Sequence, residues 1–190
     1  MTRRSEIRKL GVADLGLIAE IDRSEHVEVE YAVVDGVLAD RPVSMTDIPP
    51  WDPVGTGPYS VAAQIAFCEP PLHGGALFLG AFDGKETLGL AVVDTSFEPS
   101  LAWLVFLYTS RPHRGRGVAS ALWNAAINAA AAADATSIYV SATPTGSAVE
   151  FYLSRGCRLA DPVHPALYAN EPDDIHLICS IPQGTSRVDE

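Results

Sequence analysis

In the run Arg114-Gly115-Arg116-Gly117-Val118-Ala119, residue types and spacing suit one task, the holding of an anion. Glycines at 115 and 117 let backbone amides come close to a charged oxygen. A helix starting just after them would aim its unpaired N–H groups and positive dipole end at the same point. Arg111, His113, Arg114 and Arg116 add positive charge, a local reversal of sign in a chain of formal net charge −11. A phosphate-bearing ligand is expected there. The other reactive side chains do not group. Cys68, Cys157 and Cys179 are odd in number and form no Cys-x-x-Cys pair, so neither a disulfide framework nor a thiolate zinc site is expected. His26, His73, His164 and His176 lack metal-ligand spacing.

The elements around the loop decide what kind of phosphate site it is. Residues 5–10 read as a short strand, and Asp14 can cap a helix carrying Leu15, Leu17, Ile18 and Ile21. Residues 24–57 mix acids such as Glu25, Asp47 and Asp52 with Pro42, Pro49, Pro50 and Pro53, which favours a long loop or lid. Residues 59–67 read as a short helix closed by Pro70-Pro71 and Gly74-Gly75. Strands at 76–82, 88–95 and 101–109, with turns at Asp83-Gly84 and Glu98-Pro99, make an antiparallel meander. The third is apolar on both faces, with Trp103, Val105 and Leu107 on one and Leu104, Phe106 and Tyr108 on the other, as a covered central strand requires. An alanine-rich helix at 118–133 follows the glycine loop. A strand at 137–141, a helix at 146–155 and a last strand at 174–181 complete one domain over 1–182, with 183–190 as a polar tail.

A nucleotide-kinase P-loop would end in Gly-Lys-Ser/Thr, whereas Gly117 is followed by Val118-Ala119. A dinucleotide fold would place its glycines in a βαβ unit with a ribose-binding acid further on, and this loop instead follows a meander. The remaining reading is a pyrophosphate-carrying acyl donor. Here the chain resembles the GNAT superfamily of N-acetyltransferases. Arg114-x-x-Gly117-x-Ala119 matches its donor loop, and the segment from Ala148 through Phe151-Tyr152 to Gly156 matches its second signature. The resemblance covers roughly residues 5–181 and is best over 76–157. Thr145 stands where the family often has Asn, and Cys157 where it usually has an aromatic residue.

The resemblance implies an α/β (α+β) fold with a mixed sheet of about seven strands, an antiparallel N-terminal meander, splayed central strands and about four flanking helices. It implies acetyl-CoA as co-substrate and no metal. The pyrophosphate would lie on the amides of Gly115, Arg116, Gly117, Val118, Ala119 and Ser120 beside Arg114. The pantetheine arm would run along Leu107, Tyr108 and Thr109, with Thr145 nearby, and the amide near Leu107 could polarise the thioester carbonyl. A primary amine then attacks directly, and Tyr152 is the implied general acid, its phenol being protonated at neutral pH. For the base, Asp94 and Glu98 are the nearest acids in sequence, with Asp47 and Asp52 reachable from the lid.

Composition narrows the class of partner. The chain is 47% hydrophobic and 19% charged, enough for one sizeable core. Its acidity, with a pI near 4.8, argues against a nucleic-acid surface and fits a small cationic amine acceptor. No apolar run is long enough for a membrane span, no signal-peptide pattern opens the chain, and the cysteine usage fits a cytoplasmic setting. Leu167 to Pro172, followed by Asp174-Ile175, resembles the closing region of streptothricin-type antibiotic acetyltransferases. Two other classes stay open: a protein or peptide N-acetyltransferase, and a CoA-binding module without chemistry. A homodimer through an edge strand such as 174–181 also stays open.

Overall fold

The computed structural model describes residues 5–183, so the expected tail lies outside the described residues except for Gln183. The chain runs β1 (Glu6–Leu10), a 3₁₀ segment (Val12–Glu20), β2 (Glu25–His26), β3 (Glu30–Val34), β4 (Val37–Arg41), β5 (Asp47–Ile48) and α1 (Val61–His73). It continues through β6 (Leu77–Asp83), β7 (Glu86–Glu98), β8 (Leu101–Thr109), α2 (Val118–Ala132), β9 (Ser137–Ala142), α3 (Gly146–Leu153), β10 (Arg158–Leu159), α4 (Pro165–Asn170) and β11 (Ile175–Ser180). One seven-stranded sheet has the order β1-β6-β7-β8-β9-β11-β10, and only the β8–β9 pair is parallel. No helix among the described residues is long and apolar enough to cross a membrane.

Each face of the sheet carries its own core. Under α2 and α3 lie Leu104, Leu122, Trp123, Ala126, Ile138 and Val149. Ala126 and Ala130 are fully buried, and their small side chains let α2 lie close to the strands. Under the 3₁₀ segment and α1 lie Ile18, Cys68, Phe78, Leu90, Trp103 and Phe106. Each large apolar side chain buried in this way contributes about 1.5–3 kcal/mol.

The expected strict alternation along β8 does not hold. Val93 pairs with Leu104 while Val92 pairs with Phe106, which leaves Val105 as the extra residue of a β-bulge. Val105 and Phe106 therefore both join the α1-side core with Tyr108, and Leu107 turns to the α2 side with Leu104. A bulge adds local twist. Past it, β8 leaves its parallel neighbour: pairing with β9 runs from Leu101 to Leu104 and stops.

Four further expectations are corrected. Residues 30–41 are a hairpin and not a loop, with Asp35 and Gly36 at positive φ (51° and 75°) in a tight two-residue turn. Helix α1 runs past Pro70-Pro71, although each proline forfeits its own N–H bond to the carbonyl four residues back. Their carbonyls still accept from Gly74 and Ala76 N–H. The segment after Gly11 is 3₁₀, and Asp14 caps it from inside by accepting from Gly11 N–H at 2.8 Å. Cys157 and Cys179 form a disulfide, since the two-residue β10, not foreseen, pairs with β11 and brings them face to face.

Candidate active site

Where β8 and β9 part, they open a cleft of about 510 Å³. Leu107, Tyr108 and Thr109 form one wall, and Ser141 to Thr143 the other. The glycine loop, the start and end of α3, and the turn after α4 complete it. The segment after β2 is tied to the mouth of α3, with Tyr31 N–H donating to Pro144 O and Gly146 N–H to Val29 O, each at 2.8 Å.

Gly115 and Gly117 have φ of +71° and +83°, a region that side-chain-bearing residues rarely adopt. Gly117 is the N-cap of α2, so the first-turn amides that a helix cannot satisfy internally start at this loop. Gly115, Gly117, Val118, Ala119 and Ser120 all line the cleft. Ser120 Oγ accepts from Arg155 at 2.7 Å, and the Arg155 guanidinium lies 3.4 Å from the Phe151 ring centroid. Of the two loop arginines, Arg116 is exposed and lines a separate hollow with His113 and Glu86. Arg114 lines the cleft, but its guanidinium is engaged with protein. It donates to Thr109 O (3.2 Å) and Arg23 O (3.0 Å) and pairs with Glu25 at 3.4 Å. Its side chain ties the end of β8 to the strand-poor segment before β2.

Thr145, also in the cleft lining, is buried and is the N-cap of α3, its Oγ1 lying 3.3 Å from Ser147 Oγ. Thr109 Oγ1 is buried with no hydrogen-bond partner among the described residues. An orphaned hydroxyl at the end of the splayed strand is a group a ligand would satisfy.

Tyr152 on α3 is buried and packs edge-on to Trp123, with ring centroids 5.5 Å apart. Burial, followed by nearby Tyr108, pushes its phenol far above the ordinary value, so it is protonated throughout the physiological range. Its hydroxyl has no hydrogen-bond partner among the described residues.

The acids expected from sequence are elsewhere. Asp94 and Glu98 do not line the cleft: Asp94 caps the Ser96 amide at 3.0 Å, and Glu98 pairs with His164 at 3.0 Å. Asp47 pairs with His26 at 2.9 Å, and Asp52 holds the amides of Val54 and Gly55. The cleft instead contains Glu171 and Asp174, from the turn between α4 and β11, which sequence reasoning did not assign a role. Burial, then the neighbouring Asp174, pushes Glu171 up to about 7. Burial, then Asp173, pushes Asp174 up to about 6. Behind them His176 is buried, and burial holds its pKa below the ordinary value. The 3.0 Å contact of Nε2 with Glu171 O requires the proton on Nε2, since a carbonyl only accepts.

Solved structures share this architecture. A nourseothricin acetyltransferase aligns with a TM-score of 0.66 and 17% identity, over 95% of this chain and 100% of that one. A Bacillus anthracis chain assigned as a streptothricin acetyltransferase, solved with acetyl coenzyme A, aligns with a TM-score of 0.63 and 16% identity, over 93% and 96%. The ribosomal-protein-S18-alanine N-acetyltransferase from Escherichia coli aligns with a TM-score of 0.59 and 12% identity, over 98% and 99%. At these identities the likeness is one of fold. No curated protein matches the chain by sequence. The sequence profile of the acetyltransferase (GNAT) family matches residues 45–157, which span the glycine loop, the splayed strands and Tyr152, and the chain belongs to that family.

Proposed function

We propose that the chain transfers an acetyl group from acetyl-CoA to the primary amine of a small molecule that is cationic at the reacting nitrogen. One observation carries this reading: a glycine loop at a helix N-terminus, an unpartnered buried tyrosine and two carboxyls of raised pKa line one cleft between separated strands. The cleft suits the donor, since it offers first-turn amides for a pyrophosphate and the orphaned Thr109 hydroxyl.

The amides of Gly115 to Ser120 would hold the phosphates, and the free edge of Leu107 to Thr109, with Thr145, the extended arm. When bound, acetyl-CoA supplies an activated thioester carbonyl. Glu171 or Asp174 takes a proton from the incoming ammonium, a role that a carboxyl with pKa near neutrality performs well. The backbone amide near Leu107 polarises the carbonyl. As the N–C bond forms and the C–S bond breaks, the nitrogen would release its second proton to solvent, and Tyr152 would donate its proton to the departing sulfur and recover one from solvent.

The test is thiol release from acetyl-CoA across a panel of polycationic antibiotics, polyamines, amino acids and peptide N-termini, with thermal stabilisation by acetyl-CoA in parallel. Turnover on a small amine supports the reading. Turnover on peptides alone, or stabilisation without turnover on any amine, refutes it.

A further inference from the structure

Arg23 is 7% exposed, lines the cleft, and its guanidinium has neither a hydrogen bond nor an ion pair among the described residues. Its Nε is buried without a partner. The guanidinium lies over the rings of Trp51 (4.2 Å) and Tyr59 (5.0 Å), which hold it without neutralising it. Trp51 in turn packs edge-on to Tyr108 at 5.2 Å, and the Tyr108 phenol feels Arg23 on the one hand and Asp174 and Glu171 on the other. A fixed cation and a pair of carboxyls thus address one aromatic side chain in the wall of one cleft. Of the acids nearest in sequence, Asp22 accepts from Ser24 N–H at 2.9 Å and Glu25 is paired with Arg114.

A buried guanidinium without a counter-ion is costly, and its planar fork of donors matches a carboxylate in two parallel hydrogen bonds. We infer that Arg23 is the seat for an anionic group of the acceptor, so that the amine acetylated here belongs to an amphoteric molecule, an amino acid or other carboxylated amine. Its ammonium meets Glu171 and Asp174 while its carboxylate meets Arg23. This rests on the cleft being the acetyl-transfer site and narrows the acceptor class within it. A simple polyamine would leave Arg23 unpaired and repelled.

Matched pairs that differ only in the carboxylate test this: L-lysine against cadaverine, and L-ornithine against putrescine. Each is assayed by thiol release and by thermal shift, with wild type, Arg23→Met and Arg23→Lys. In wild type at least one amino acid should exceed its decarboxylated partner by about tenfold or more in kcat/KM or in apparent affinity. Arg23→Met should erase that preference while keeping stabilisation by acetyl-CoA, and Arg23→Lys should restore part of it. Retained acetyl-CoA stabilisation also shows that the variant is folded. Equal behaviour within both pairs in wild type overturns the inference, whether or not turnover is seen. So does an Arg23→Met variant that loses acetyl-CoA binding but keeps the preference, which would assign the arginine to the donor's phosphates. If acetyl-CoA fails to stabilise even the wild type, the acetyl-transfer reading falls. An Arg23-dependent preference for lysine over cadaverine in the thermal shift would still support the anion seat.

Discussion

Asp174 follows Glu171 by three residues in the turn that enters β11, both carboxyls line the same cleft, and Asp174 raises the proton affinity of Glu171 beyond what burial alone does. A base must be ionised to work, so kcat/KM should rise with pH and level off above the raised values, about 6 and about 7. Glu171→Gln should lower kcat/KM by roughly 10²–10⁴ if this carboxylate takes the proton. Asp174→Asn removes the like charge and should move the acidic limb to lower pH. A pH–rate profile measured by thiol release checks all three. An unmoved limb in Asp174→Asn would separate the two carboxyls.

The same two groups affect stability, with a definite sign. A carboxyl whose pKa is raised in the folded state binds its proton more tightly there than in the unfolded chain, so its contribution is lost as pH rises through the interval. For Glu171 that interval runs from the ordinary 4.5 to about 7. Glu171→Gln should therefore raise Tm at pH 8, by about 2–4 °C for each kcal/mol relieved, with the difference fading as pH falls towards 4.5. Thermal melts of both proteins at pH 5 and pH 8 check this. A gain equal at both pH values would point to packing and not to ionisation.

What the sequence made legible was local. The glycine loop, the meander and α2 rest on short-range signals: positive-φ glycines, two-residue turns and helical spacing, all found where expected. The bulge at Val105 left no such signal, because an extra apolar residue in an apolar strand changes which face Leu107 and Phe106 occupy without changing composition. For a related reason, the sequence does not pick out the acids that line the cleft. Asp94 and Glu98 are near the site in sequence, whereas Glu171 and Asp174 reach it only through α4 and the β9–β11 pairing, a long-range contact. Arg23 was hidden beside an acidic, proline-rich stretch that reads as solvated loop. Its burial depends on Trp51 and Tyr59, well downstream in the chain.

Tyr152 presents an unpartnered hydroxyl in the cleft, and its pKa is raised first by burial. Phe fits the same space against Trp123, so Tyr152→Phe should keep the fold and the acetyl-CoA-induced thermal shift while lowering kcat by roughly 10²–10⁴. Steady-state kinetics with the preferred amine, together with the donor thermal shift, separate the two effects. An unchanged kcat would remove Tyr152 from the chemistry.

Arg114 and Arg116 stand two residues apart in the glycine loop, and the structure divides their work. The Arg114 guanidinium is taken up by Thr109 O, Arg23 O and Glu25, so it bridges the end of β8 to the segment that carries Arg23. Its loss leaves two backbone carbonyls and a half-buried carboxylate without that partner, and hydrogen bonds to a charged group contribute about 1.5–3 kcal/mol each. Arg114→Ala should therefore lower Tm clearly and weaken acceptor and donor together, since the wall and the loop both shift. Arg116 is exposed and lies outside the cleft, so Arg116→Ala should change stability by no more than about 0.5 kcal/mol and leave Tm nearly unmoved. If its charge assists the anion at all, it does so at longer range, and the effect should fade as salt is raised. Thermal melts and acetyl-CoA titrations of both variants at low and high salt decide the matter. A donor affinity that depends on Arg116 as strongly as on Arg114 would mean that the phosphates lie on the outer side of the loop.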